Sequence, residues 1–249
     1  MTGTRPDLAA ACSLMQQRVT RSCVQDLIDL NKVVSMVRDF SGVEIHVVPI
    51  DVNNLEFVAW SDASFANAEE YKSQGGYLIC ATERGLRLNQ WARLSPLRWR
   101  SFKQERQVAS TLGAELLTLS RTIAETKWVR SIFTEAVNGS YTLESDKERS
   151  SRTPITVAID SRPAFDHLNG QVMSIRDKRL AIEMLLVRQD VERENVHVRW
   201  MPTDHMVVDG LTKIGAPMNS LRKILREGKM ILVEKDEVMK WIGKCSRKK

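Results

Sequence analysis

The sequence predicts an α/β fold: a mixed five-stranded sheet with helices on both faces. Three observations predict it. Short apolar runs come first as a meander, similar runs later alternate with helical stripes, and two of the runs stop at an aspartate. With 249 residues, the chain suits one domain of about 150 residues with an extension at each end. Its 43% apolar content can fill a core and its 27% charged content is ordinary, which excludes a disordered chain.

The elements follow in order. Residues 5–40 read as helix, because Leu14, Val19, Val24, Leu27, Leu30, Val33, Val34 and Val37 recur at three- and four-residue spacings. Ser41-Gly42 closes this stretch, and residues 43–50 read as a short strand broken by Asp51, Asn53 and Asn54. The whole segment resembles a connection more than a self-sufficient domain. Residues 57–62, 76–81 and 86–91 then read as three strands forming two antiparallel hairpins. Ser110 or Thr111 caps a long helix whose stripe runs through Leu112, Leu116, Leu119, Ile123, Trp128, Val129 and Ile132 to a stop at Asn138-Gly139. A charged linker, 144–152, precedes a fourth strand at 155–160. A short helix at 163–168 and a longer one at 178–193 lead to a fifth strand at 196–200 and to a helical turn carrying Asp209. Beyond Lys213, residues 221–226 and 236–242 are helical stretches without a clear core of their own. The expected division is a connection over 1–55, the α/β domain over 56–213 and a basic tail over 214–249. Trp60, Leu112, Leu116, Ile123, Val157, Ile159 and Trp200 are the expected core.

The formal net charge of +6 suits a polyanionic partner, although much of the excess lies in Lys240, Lys244, Arg247, Lys248 and Lys249, where a solvated end is the plainer reading. Cys12, Cys23, Cys80 and Cys245 lack the paired spacing of a zinc site or a disulfide framework, so a reducing, intracellular compartment, cytoplasmic or nuclear, is expected. No run reaches the roughly 18 apolar residues of a membrane span, and the N-terminus lacks a secretory pattern. No membrane partner is expected.

Four carboxylates stand in telling places: Asp62 and Asp160 at the ends of apolar runs, Glu115 inside a helix and Asp209 at the start of another. An unpaired carboxylate at a strand end carries a desolvation cost of several kcal/mol unless a cation offsets it. Hard divalent cations with oxygen ligands do so well, and two ions about 4 Å apart sharing an acidic cluster can activate a water and stabilise the leaving oxygen of a phosphodiester. Taken singly, each acid has a plainer reading: Asp62 opens a turn with Ser64, Glu115 is a surface helix acid, Asp209 caps the helix after it.

The residues also resemble a known family in six places, in order. Thr4-Arg5-Pro6-Asp7-Leu8-Ala9 resembles T-R-P-D-I. Trp60-Ser61-Asp62-Ala63-Ser64-Phe65-Ala66 resembles Y-S-D-A-D-W-A, with Lys72-Ser73 and Gly76-Tyr77 following as in K-S-x-x-G-Y. Trp99-Arg100-Ser101-Phe102-Lys103-Gln104 is similar to W-x-S-K-K-Q, and Ser110-Thr111-Leu112-Gly113-Ala114-Glu115 to S-S-T-E-A-E. Thr153-Pro154-Ile155 through Asp160-Ser161 resembles the T-P-I strand ending in D-N or D-S, and Val208-Asp209-Gly210-Leu211-Thr212-Lys213 resembles A-D-x-L-T-K. These are patterns of copia-type retrotransposon Pol polyproteins, at the end of the reverse transcriptase and in the ribonuclease H domain after it.

The resemblance implies a ribonuclease H-like fold and an endoribonuclease that cuts the RNA strand of RNA–DNA hybrids during reverse transcription. It implies Asp62, Glu115, Asp160 and Asp209 as ligands of two Mg2+ ions, with Mn2+ as a substitute. Lys72, Ser73, Lys103 and Gln104 are candidate phosphate contacts, and the reverse transcriptase portion of a polyprotein is the expected partner. His205, one turn before Asp209, is a candidate proton shuttle, with a surface histidine as the plainer reading. Two departures stand out: Gly113 where the family carries an acid, and Lys178-Arg179-Leu180-Ala181-Ile182-Glu183-Met184-Leu185 where it carries K-H-I-D-I-R-Y-H. The polymerase motif Y-x-D-D is absent, so the chain is expected to be a fragment or a separate remnant. A catalytically silent nucleic-acid-binding remnant is the alternative function, and a transposase or integrase nuclease a third; the helix-borne Glu115 favours ribonuclease H over the latter.

Overall fold

The computed structural model describes residues 3–139, 152–170, 175 and 177–232. Its elements are α1 (Ala9–Gln16), α2 (Val24–Asp39), β1 (Leu55–Ser64), β2 (Gln74–Glu83), β3 (Ala92–Lys103), α3 (Thr111–Asn138), β4 (Ile155–Ile159), α4 (Arg162–Asn169), α5 (Lys178–Arg193), β5 (Val196–Trp200), α6 (Asn219–Glu227) and β6 (Lys229–Met230). The sheet order is β5-β4-β1-β2-β3-β6. β1, β2, β3 and β6 pair antiparallel, while β4 runs parallel to β1 and β5 parallel to β4.

Strand β1 is central and nine of its ten residues are buried, which is why it reads as a continuous apolar run rather than an alternation. Its side chains divide between two cores. Val58 and Trp60 face α1, α6 and the segment 201–211, whereas Phe57 and Ala59 face α3, α4 and α5. The mixed sheet with helices on both faces is thus as expected, with one strand more than the five anticipated. The sixth is the two-residue β6, which pairs with Ala92 and Arg93 at the start of β3.

Helix α3 is set by local chemistry. The Ser110 hydroxyl accepts from the Gly113 N–H at 3.1 Å, and Gly139, at φ 70°, ends the helix in the left-handed conformation. Leu116, Leu119 and Ile123 are fully buried on the sheet. Thr122 donates to the Thr118 carbonyl at 2.8 Å and lies 3.1 Å from Ser61 Oγ, fixing the helix against β1.

Several expectations are corrected. The third strand is not at 86–91: Arg84–Leu88 is a 3-10 turn, Asn89 has φ 56°, and β3 begins at Ala92. Only Leu86 of that stretch is buried, while Leu88 and Trp91 are exposed, so the apolar pattern belonged to a turn. Residues 43–50 form no strand. They lie extended against β3 and α6 through the His46 N–H to the Leu225 carbonyl and the Val48 N–H to Ser95 Oγ, both 2.8 Å. The expected first helix is two helices separated by the 3-10 turn Val19–Arg21, and α2 buries no residue. Leu112 and Trp200 are half-buried; the other five expected core residues are buried. Residues 219–227 do find a core, since Leu221, Ile224 and Leu225 pack with Trp60 and Leu78. At the other end, Arg5 clamps buried Asp7 with two bonds of 2.9 and 2.8 Å, and Leu8 is fully buried. The helical stretch expected at 236–242, the basic end of the tail and most of the linker 144–152 lie outside the described residues. No helix of the described residues is long and apolar enough to cross a membrane.

Candidate metal centre

Three chain segments converge at one end of the sheet. Asp62 lies inside β1, two residues before its end, Asp160 directly follows β4, and Glu115 sits in the first turns of α3. One carboxylate oxygen from each lies within 4.8 Å of the others. Asp62 and Glu115 are buried and Asp160 half-buried.

Neighbours fix each acid. Thr212 Oγ1 donates to Asp62 Oδ2, and Asn67 Nδ2 holds the Thr212 carbonyl at 2.9 Å. Gly76, paired with Asp62 across β1 and β2, lets this turn approach: a Cβ there would lie 2.8 Å from Thr212 Cγ2 and 2.9 Å from Leu211 Cβ. Glu115 takes a hydrogen bond from the Ala63 backbone, and the Asp160 carboxylate takes one from the Thr203 side chain. The Trp200 indole donates to the Asp160 carbonyl at 2.9 Å. Asp209 is not one of these three, although its charge acts on Asp62 and Asp160; it lies in the turn Asp209–Leu211, with its Oδ1 on the Lys213 ammonium one turn further on.

The carboxylates oppose one another. Burial, with the charges of Asp160 and Asp209 behind it, pushes Asp62 up to about 6 against the Thr212 hydrogen bond. Burial and the charges of Asp62 and Asp160 push Glu115 up to about 9. Asp160 is raised chiefly by burial, and Lys213 is also raised, because its bond to Asp209 and the surrounding acids outweigh its own desolvation. Glu115 Oε2 is buried without a hydrogen-bond partner among the described residues. A buried carboxyl oxygen left without a partner beside two more carboxylates fits a hard divalent cation, whose charge would favour the ionised acid.

A pH dependence follows. Both folded-state values lie above the ordinary carboxylate range, so folding takes up protons. The resulting stability is complete below about pH 4 and is lost as pH rises through about 6 for Asp62 and about 9 for Glu115. In a chelator the melting temperature is therefore expected to fall steadily between about pH 5 and 9, with magnesium restoring most of the loss at the alkaline end. A flat profile, unchanged by magnesium, would show that neither burial nor neighbouring charge raises these acids and that no cation binds them.

The other expected site residues divide. Lys72 and Lys103 are partly exposed, each loosely paired with Glu70, at 3.5 and 3.7 Å. Ser73 and Gln104 are buried and engaged internally: Ser73 Oγ accepts from the Ala66 N–H at 3.2 Å, and Gln104 Nε2 donates to the Ala114 carbonyl and to Thr118. These two hold the β1–β2 connection and the start of α3, which leaves the lysines as the surface cations of that group. His205 is half-buried in the turn Thr203–His205. Sequence reasoning missed Thr203, Thr212 and Lys213; the last two follow Asp209 at one-turn spacing, the signal that could have exposed them.

No family model matches the chain. Among curated proteins it is similar to the retrovirus-related Pol polyproteins from transposons RE1 and RE2 of Arabidopsis thaliana, with 26% identity over 212 residues and 25% over 213. Both are copia-type, in line with the motifs quoted above, and each alignment covers 84% of this chain. The chain spans 13% of the length of these relatives. Similar solved structures include an RNase H1 isolated from compost (LC11), at 13% identity and TM-score 0.42, covering 63% of this chain and 91% of that one. A foamy viral protease-reverse transcriptase in complex with RNA/DNA hybrid is 11% identical with TM-score 0.38, covering 86% of this chain and 28% of that one. The sheet itself has three antiparallel strands followed by two parallel ones, the mixed arrangement expected from the sequence.

Proposed function

We propose that this chain is an endoribonuclease that hydrolyses the RNA strand of RNA–DNA hybrids with two Mg2+ ions, in the service of retrotransposon reverse transcription. The observation that carries the reading is the convergence of Asp62, Glu115 and Asp160 within 4.8 Å, with Glu115 Oε2 orphaned. These three would hold the metal, with Asp209 as the fourth ligand once it leaves Lys213. Bound there, divalent ions supply an activated water and stabilise the leaving oxygen.

The chain's own residues do the rest. Thr212 and Thr203 hold Asp62 and Asp160 in place, so the acids need little rearrangement to meet a cation. Lys72 and Lys103 position phosphates, while a hybrid is recognised by shape and 2′-hydroxyls rather than by sequence. The division into a connection, a nuclease domain and a tail belongs to this proposal, as does a reverse transcriptase as the partner that presents the hybrid. The test is incubation of purified protein with labelled hybrid and magnesium, beside single-stranded RNA and duplex DNA. Cutting confined to the RNA of the hybrid, and abolished by a chelator, is the expected result. Binding without cutting would favour a silent remnant, and cutting of duplex DNA a transposase-type nuclease.

A further inference from the structure

The α3 face of the outer strand β3 carries a cation cluster outside the acidic centre. Arg98, Arg100 and Phe102 alternate along β3, and the register sets Arg100 beside Tyr77 and Phe102 beside Gly75 on β2. Tyr77 and Phe102 pack with Leu116 and Leu119 of α3, which identifies the face. Gly75 leaves room for the Phe102 ring: a Cβ there would lie 2.6 Å from Phe102 Cζ and 2.8 Å from Thr118 Oγ1. From α3, the Arg121 guanidinium lies over that ring at 4.2 Å from its centroid, and the Arg100 guanidinium lies at 6.0 Å.

One carboxylate serves these three guanidinium groups. Glu125 pairs with Arg98 at 2.8 Å and with Arg121 at 4.0 Å, and Arg98 also donates to the Tyr77 hydroxyl at 3.2 Å. Those bonds tie α3 to β3, which gives Arg98 and Arg121 a structural use. Arg100 has no such use: it is exposed and forms no ion pair among the described residues. Two positive charges are therefore left over on one face, and planar guanidinium forks match the oxygens of a phosphate.

The cluster begins close to the acids. Phe102 is aligned through Gly75 with Ala63, whose backbone binds Glu115, and two strand spacings put it about 10 Å from β1. Arg121 follows Glu115 along α3 by about 9 Å of helix rise. Arg98 lies about 13 Å beyond Phe102 along β3. At about 3.4 Å of axial rise per nucleotide, a strand running from the acids in that direction meets the cluster after about three nucleotides and follows it for about four more.

We propose that the Arg98–Arg100–Arg121 cluster is a binding site for backbone phosphates of a hybrid lying at the acidic centre, with Arg100 as the residue kept for that purpose. The inference rests on the nucleic-acid reading above. It is tested by fluorescence anisotropy with a labelled RNA–DNA hybrid in a chelator, over a series of salt concentrations. Arg100→Gln is expected to weaken binding about tenfold near 0.1 M salt and to flatten the salt slope by about one, as the loss of one phosphate contact requires. Its melting temperature should equal the parent's, because no ion pair is broken. Lys223→Gln makes the same charge change on α6, which packs on the opposite face of the sheet, and should leave the slope as it is. A parent slope retained by Arg100→Gln, or an equal loss in Lys223→Gln, overturns the proposal, as does a parent that does not bind the hybrid. Single-turnover cleavage with magnesium separates the two readings. A parent that binds through Arg100 but cuts nothing keeps the cluster and loses the nuclease; one that cuts while Arg100→Gln binds as tightly keeps the nuclease and loses the cluster.

Discussion

Asp160→Asn is expected to reduce hybrid cleavage by several orders of magnitude while leaving the fold intact. The residue follows the fully buried β4, and its carbonyl is held by the Trp200 indole at 2.9 Å. An amide of the same shape keeps that bond and can still accept from Thr203, so packing is preserved. What disappears is one of three carboxyl groups whose oxygens lie within 4.8 Å of one another. Cation binding weakens accordingly, and the upward pressure that Asp160 exerts on Asp62 and Glu115 is relieved. The variant should therefore melt at or slightly above the parent's temperature in a chelator near pH 8, and gain less from magnesium. Single-turnover cleavage and paired thermal melts read both effects. A variant that cuts at the parent's rate would remove Asp160 from the site; one that melts far lower would make it structural.

Trp60→Ala is expected to cost about 3–5 kcal/mol of stability, the range for truncating a large buried aromatic. Trp60 is fully buried, lies between Leu78 on β2 and Ala158 on β4, and shares the face of β1 that Asp62 occupies two residues later. Its loss opens a cavity directly behind the acids, so the magnesium-dependent gain in melting temperature should shrink with the stability. Trp60→Phe is the informative companion. The indole N–H is buried without a hydrogen-bond partner among the described residues, so phenylalanine gives up volume but also removes an orphaned donor. It should cost only a small part of the alanine penalty. Urea unfolding of the three proteins decides the matter, and equal losses for both variants would mean that the indole is satisfied in solution.

Much of this was readable wherever the signal is local. The Ser110 cap and the Gly139 stop define α3, and the expected spans 178–193 and 196–200 coincide with α5 and β5. The carboxylates were legible for a similar reason: an acid at the end of an apolar run is conspicuous in one dimension. The failures occurred where long-range packing outweighs pattern. Leu86, Leu88 and Trp91 imitate a strand but form a turn around Asn89, and β3 itself carries Pro96, absorbed where its register with β2 slips beside Ile79 and Cys80. Residues 43–50 are extended, yet their partners are a serine side chain and the end of a helix rather than a ladder. β6 is two residues long, below what any periodicity can report. At the site, nothing in one dimension says that Thr212 reaches Asp62 across 150 residues, that Lys213 pairs with Asp209 beside the acids, or that Gln104 turns inward under α3.

The most direct measurement concerns the ends left by cleavage. Digestion of hybrid in water enriched in oxygen-18, with magnesium present, followed by mass spectrometry of the RNA fragments, identifies the attacking group. Hydrolysis at the cluster of Asp62, Glu115 and Asp160 predicts a 5′-phosphate carrying the heavy oxygen beside a free 3′-hydroxyl. Fragments ending in a 2′,3′-cyclic phosphate, formed equally well in a chelator, would show that the RNA's own 2′-hydroxyl is the nucleophile and would contradict the metal-centred account.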